Sequence, residues 1–127
     1  MIYISFDIGI KNLALCILEN TNNYINIIDW RVITLVDKKK EINGLNLISE
    51  ILFYELDNII GGIEELKYKN IDYVLIENQP SNLNGIMKSI QLLIFSYFSL
   101  LKHWDKFIGQ VLLINASLKL QYHNFKP

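Results

Sequence analysis

The sequence predicts an α/β fold on a mixed five-stranded sheet with helices on its faces, and three patterns carry that prediction. The chain opens with alternating apolar residues, the period of a strand. Two long stretches repeat apolar residues at spacings of three and four, the period of a helix. Short apolar runs bounded by turn formers fall between and after them, which gives the order β-β-β-α-β-α-β.

In the first element, Ile2, Ile4 and Phe6 alternate with Tyr3, Ser5 and Asp7, so Asp7 points away from Phe6 at the strand's end. Gly9 permits a turn closed to β-branched residues. A second strand follows at Leu13 to Leu18, and the turn-forming ENTNN joins it to a third, Tyr24 to Leu35, as in a meander. After the polar VDKKKEING come Leu45, Ile48, Leu52, Leu56 and Ile59, an amphipathic helix that Gly61-Gly62 is expected to end. Tyr73 to Ile76 is a continuous apolar run, the pattern of a strand buried on both faces, and it closes on Glu77. Ile86, Ile90, Leu93, Tyr97 and Leu101 mark a second helix from about Asn84 to Lys102. Gln110 to Ile114 reads as a last strand.

At 127 residues the chain is expected to form one domain, 1–127, with a single core. Hydrophobic residues make up 51% and charged residues 20%, the balance of a folded protein. A net charge of −1 gives no whole-molecule attraction to nucleic acid, so a nucleic-acid partner would need a local basic patch. Cys16 is the only cysteine, which excludes an intramolecular disulfide and fits a reducing compartment. The N-terminus lacks the features of a signal peptide, and the longest apolar stretch, Ile90 to Leu101, is too short to span a bilayer. The expectation is a soluble, cytoplasmic protein with no membrane partner.

The first and fourth strands both end on a carboxylate, Asp7 and Glu77. In open α/β sheets, sites collect at the carboxyl ends of strands. Two acids on neighbouring strands repel unless a cation lies between them, and oxygen donors without His or Cys partners suit Mg²⁺ or Mn²⁺. Each acid equally reads as a polar cap at a solvent edge, and spacing alone leaves both readings open.

The motifs extend the first reading. DIGIKNLA at Asp7–Ala14, IENQP at Ile76–Pro80, the following MKSIQLLIFSYF, and INASLKL at Ile114–Leu120 resemble the poxvirus-type Holliday junction resolvases, relatives of the mitochondrial and RuvC resolvases. The resemblance implies an RNase H-like fold and metal-dependent cleavage of four-way DNA junctions by a homodimer. It further implies that Asp7 and Glu77 are catalytic metal ligands for Mg²⁺ or Mn²⁺, with two ions bracketing the scissile phosphate. The family also uses a lysine near the position of Lys119. For a viral protein, the location would be host cytoplasm or virion.

One departure qualifies the match. The family completes its site with two further aspartates on a C-terminal helix, whereas the only aspartate after Glu77 here is Asp105, in the polar KHWDKF connector. The chain therefore reads as the N-terminal portion of a resolvase domain, ending before that helix. Its own activity is in question, and a non-catalytic DNA-binding or dimerising remnant is the alternative. An ATP-binding domain of the actin and sugar-kinase type shares the fold and an Asp-x-Gly loop, but it needs a second phosphate loop and a glycine-rich adenosine site, and neither follows.

Lys11, Asn12 and Gln79 are the candidate DNA contacts, with hairpin and turn chemistry as the plain alternative. Lys38-Lys39-Lys40 reads as a solvated run. Lys102, His103 and Lys106 make a basic spot partly offset by Asp105, and His103 and His123 lack metal-ligand spacing. Met87, Ile94 and Phe98 extend the apolar surface of the second helix, which is expected to carry a subunit interface. The aromatic cluster Phe95, Tyr97, Phe98 and Trp104 reads as core or interface.

Overall fold

The computed structural model describes residues 1–9, 11–35, 44–63, 66, 71–79, 85–107 and 109–115. The elements follow the expected order: β1 (Ile2–Ile8), β2 (Asn12–Thr21), β3 (Tyr24–Thr34), α1 (Leu45–Gly62), β4 (Tyr73–Glu77), α2 (Gly85–His103) and β5 (Gln110–Ile114). They form one five-stranded sheet in the order β3-β2-β1-β4-β5. The first three strands make an antiparallel meander, and β4 and β5 add in parallel beside β1.

Local chemistry explains how the central strands are set against one another. In the tight turn between β1 and β2, the Gly9 N–H donates to the Asn12 carbonyl at 2.9 Å. A Cβ at Gly9 would stand 2.9 Å from that same oxygen, closer than side-chain carbons approach, so glycine is required. Asp72 sets β4 against β1: its carboxylate accepts the Ile2 N–H at 2.8 Å, and its own N–H donates to the Ile2 carbonyl at 2.9 Å. A bulge between Ile17 and Leu18 shifts the β2–β3 register.

Alternation decides which side of the sheet is buried. Ile4, Phe6, Ile8, Leu13, Leu15, Ile17, Val74 and Ile76 face the helices and are almost fully buried. They meet Ile48, Leu52, Leu56 and Ile59 of α1 and Ile90, Ile94 and Phe98 of α2 in one core. Phe98 packs its ring 6.1 Å from Phe6 and 5.6 Å from Phe107.

Four expectations are corrected. Both described helices lie on one face, so the opposite face of the sheet is uncovered among the described residues. For that reason β4 is buried on one side only, with Tyr73, Leu75 and Glu77 half-buried on the other. An apolar run cannot report this by itself, because the missing cover is a property of the whole sheet. Gly61 and Gly62 lie within the last turn of α1, and Ile63 in extended backbone ends the helix. The core stripe of α2 is Ile90, Gln91, Ile94, Phe98 and Leu101, so Ile94 and Phe98 point inward and supply no interface.

Candidate metal centre on the open sheet face

The β1–β4 register pairs Tyr3 with Tyr73, Ser5 with Leu75 and Phe6 with Ile76. One residue further along both strands, it sets Asp7 beside Glu77. Parallel neighbours lie about 4.8 Å apart between backbones, within reach of one shared cation for two carboxylates on one face. Both acids do share a face, since each alternates with a buried neighbour, Phe6 or Ile76. The stacked rings of Tyr3 and Tyr73, 5.3 Å apart on that same side, fix the alignment of the two strands.

The strand pairings arrange the open face in rows. Val32, Ala14, Asp7, Glu77 and Ile114 form the row at the carboxyl end, and Trp30, Cys16, Ser5, Leu75 and Leu112 form the next. The acids thus lie at the centre of the sheet, flanked by apolar side chains. Two shallow depressions adjoin them. One of about 270 Å³ is lined by Asp7, Ser5, Cys16 and Trp30, and one of about 190 Å³ by Glu77, Ser5, Leu75 and Asn115. Ser5 belongs to both and bridges them. A larger depression of about 490 Å³ lies away from the acids, between the helices, where the Tyr97 hydroxyl donates to the Asp57 carboxylate at 2.5 Å.

Asp7 is exposed and Glu77 half-buried, so water or a ligand reaches both. Cys16, two strands from Glu77, has its thiol pKa pushed up, first by burial and then by the charge of Asp29. It is a protonated thiol near neutral pH and competes poorly with the carboxylates for a cation. The donors that remain are hard oxygens, which fit Mg²⁺ or Mn²⁺. Among the described residues, no group of three or more His, Cys, Asp or Glu could hold a metal ion.

The other candidates separate by position. Lys11, half-buried, and Asn12, exposed, sit at the same end of the sheet as the acids. Gln79 departs from the expectation of a DNA contact: it is buried, and its amide donates to the Glu77 carbonyl at 3.2 Å. Asp105 lies in the turn after α2, and because β4 and β5 run parallel, that turn is at the opposite end of the sheet from Glu77. Lys102, His103 and Lys106 are at that far end too, where the Lys102 ammonium donates to the Gly109 carbonyl at 3.0 Å. Lys119, Lys38 to Lys40 and His123 lie outside the described residues. Two residues were missed by sequence reasoning, Lys88 and Gln91 of α2, which bond to the β4 exit. A glutamine within an apolar helical stripe was the available signal for the second.

The family model for the Poxvirus A22 protein matches residues 1–103. The chain belongs to the Poxvirus A22 protein family. That is the poxvirus Holliday junction resolvase family to which the motifs pointed, three of the four lying within the matched residues. Solved structures agree on the fold. This A22-family chain superposes on the fowlpox virus resolvase in complex with substrate Holliday junction DNA with a TM-score of 0.58 at 23% identity, over 91% of this chain and 60% of that one. For the yeast mitochondrial Holliday junction resolvase Ydc2, the TM-score is 0.64 at 18% identity, over 94% and 55%. A second fowlpox virus resolvase structure gives 0.55 at 22%, over 91% and 61%. The chain thus spans roughly three fifths of the resolvases it matches. No curated protein sequence matches it. These superpositions show that the chain has the RNase H-like fold of those resolvases. None of the described helices is long and apolar enough to cross a membrane.

Proposed function

We propose that the chain carries the metal-binding heart of a structure-selective DNA endonuclease that acts on four-way junctions. The observation that supports this most is the alignment of Asp7 and Glu77 on adjacent parallel strands, at one end and on one face. The family membership supplies the reaction class. As an RNase H-like resolvase domain, 1–127 would act in the resolution of recombination and replication intermediates, in host cytoplasm or virion.

Asp7 and Glu77 would hold the cation between them. A bound Mg²⁺ or Mn²⁺ supplies Lewis acidity and a water of lowered pKa at a scissile phosphate. The chain's own part is positional. The β1–β4 ladder brings the backbones of Asp7 and Glu77 side by side, and Lys11 and Asn12 at the same edge meet the DNA backbone. The resemblance assigns a further catalytic role to a lysine near Lys119 and calls for two more aspartates. Two carboxylates alone support one weakly held ion, so little cleavage is expected from the 127-residue polypeptide by itself.

A homodimer follows from the two cuts that resolving a four-way junction requires. Leu92, Phe95 and Leu100 remain exposed on α2, with Trp104 just beyond it, and they replace Ile94 and Phe98 as the candidate contact.

The test is fluorescence anisotropy at low salt in Mn²⁺, comparing a four-way junction with a linear duplex of the same arms. The junction is expected to bind more tightly, with Asp7→Asn and Glu77→Gln each removing the Mn²⁺-dependent part. Equal affinity for junction and duplex, or a junction preference indifferent to both substitutions, would overturn the proposal.

A further inference from the structure

We propose that Gln91 and Lys88 of α2 form a polar clamp on the exit of β4, so that Gln91 is a positioning residue for the Glu77 carboxylate. The inference rests on the reading of Asp7 and Glu77 as the cation site and adds what holds one half of it in place.

Gln91 is fully buried in the apolar stripe of α2, between Ile90 and Ile94. A leucine would pack there without the cost of burying an amide. The glutamine instead turns its amide to the β4 exit. Its Oε1 accepts the Gln79 N–H at 2.6 Å, and its Nε2 donates to Asn78 Oδ1 at 3.2 Å. Lys88, one turn earlier, donates from Nζ to Asn78 Oδ1 and to the Gln79 carbonyl, both at 3.1 Å. Gln79 then returns its side-chain amide to the Glu77 carbonyl at 3.2 Å. From the other side, the Asn78 N–H donates to the Ile114 carbonyl of β5 at 2.8 Å.

Residues 77, 78 and 79 are therefore each fixed at the point where a strand end would otherwise fray. Glu77 is the last residue of β4. Its spacing from Asp7 depends on where its backbone is held, and α2 supplies that hold from behind the sheet. Outer partners of this kind orient metal ligands, and their loss costs affinity for the ion.

Lys88 separates the clamp from a plain field effect. Removing a cation from the neighbourhood of a metal site tightens metal binding by Coulomb's law alone. The clamp predicts the reverse, because the loss of Nζ releases Asn78 and the Gln79 carbonyl.

The experiment measures free Mn²⁺ by electron paramagnetic resonance during titration of the 127-residue protein, with thermal melts to establish folding. Gln91→Leu, which keeps the volume and loses the acceptor, should weaken Mn²⁺ binding about tenfold. Gln91→Glu keeps an acceptor for the Gln79 N–H but loses the donor to Asn78 Oδ1, and should weaken binding less than Gln91→Leu does. Lys88→Met should weaken binding, and Asp7→Asn should abolish it. If Asp7→Asn abolishes binding while Gln91→Leu and Lys88→Met match or exceed wild type, the clamp is wrong and the acidic pair stands. A Gln91→Glu defect larger than that of Gln91→Leu also overturns it. If Asp7→Asn binds like wild type, the acidic-pair reading falls and the clamp with it. Should Gln91→Leu fail to fold, the half-buried Lys88→Met decides by the sign of its change.

Discussion

At the scale of single residues, the acids that matter are distinguished by what their backbones need. Asp105 has a φ of 58°, in the left-handed region. The Lys106 N–H donates to the Leu101 carbonyl and the Asp105 N–H to that of Lys102, the paired bonds that close a helix through a left-handed residue. Asp105→Gly relieves the strain, and a gain of about 0.5–1 kcal/mol in chemical denaturation is expected, with Mn²⁺ binding unchanged. A loss of Mn²⁺ affinity in that variant would make Asp105 a ligand after all. Gly109 is the opposite case. A Cβ there would stand 2.4 Å from the Ile71 carbonyl and 2.5 Å from that of Asp72. Gly109→Ala is expected to destabilise by about 1–3 kcal/mol by forcing β5 away from β4. Cys16 supplies a pH dependence. Its thiol pKa is raised in the fold, so the unfolded chain gives up that proton first as pH climbs. Its contribution to stability is complete below the unfolded thiol's pKa and is lost as pH rises through the folded value. Iodoacetamide at pH 8 should therefore label native protein more slowly than urea-unfolded protein, and Asp29→Asn should narrow the gap.

At the scale of elements, most of the fold was legible and the orientation of one helix was not. The first strand and both helices announced themselves by period, and the later strands by apolar runs between turn formers. Asp7 and Glu77 were legible as acids within one residue of a strand end, with alternation fixing the face of Asp7 without reference to its partners. A helix gives no such certainty when apolar residues surround it. In α2 the positions Ile86, Ile90, Leu93, Tyr97 and Leu101 and the positions Ile90, Ile94, Phe98 and Leu101 both satisfy spacings of three and four. Packing against Phe6 and Phe107 selected the second set. The choice also concealed Gln91, whose value lies in long-range bonds to the β4 exit that no local pattern records. The helix's two sides differ measurably. Phe98→Ala should cost about 3–5 kcal/mol, since it leaves a cavity among fully buried neighbours. Leu92→Ala, at an exposed position, should change stability by no more than about 0.5 kcal/mol. Equal costs in thermal or urea unfolding would mean that α2 is rotated from the orientation described.

At the scale of the whole molecule, charge limits how the proposed site would hold DNA. With 12 basic and 13 acidic side chains, the chain as a whole gains little from releasing counterions. Among the described cations near the acids, Lys88 is committed inward to Asn78 and Gln79, while Lys102 and Lys106 lie at the other end of α2. Lys11 is the described side chain best placed to meet a phosphate at the carboxyl ends of β1 and β4. Junction affinity should therefore fall with salt along a shallow line, with a logarithmic slope of about −2 to −3 for two or three neutralised phosphates. Lys11→Ala should flatten that slope by about one while leaving Mn²⁺ binding in place, because one phosphate contact contributes about −0.9. Anisotropy titrations of a four-way junction between about 20 and 200 mM salt, over which the Debye length falls from about 20 to about 7 Å, read both quantities. A slope steeper than about −5 would require a basic surface beyond these residues, with Lys38 to Lys40 the first to substitute. An unchanged slope in Lys11→Ala would remove the hairpin from the DNA contact and leave the acidic pair as the described point of engagement.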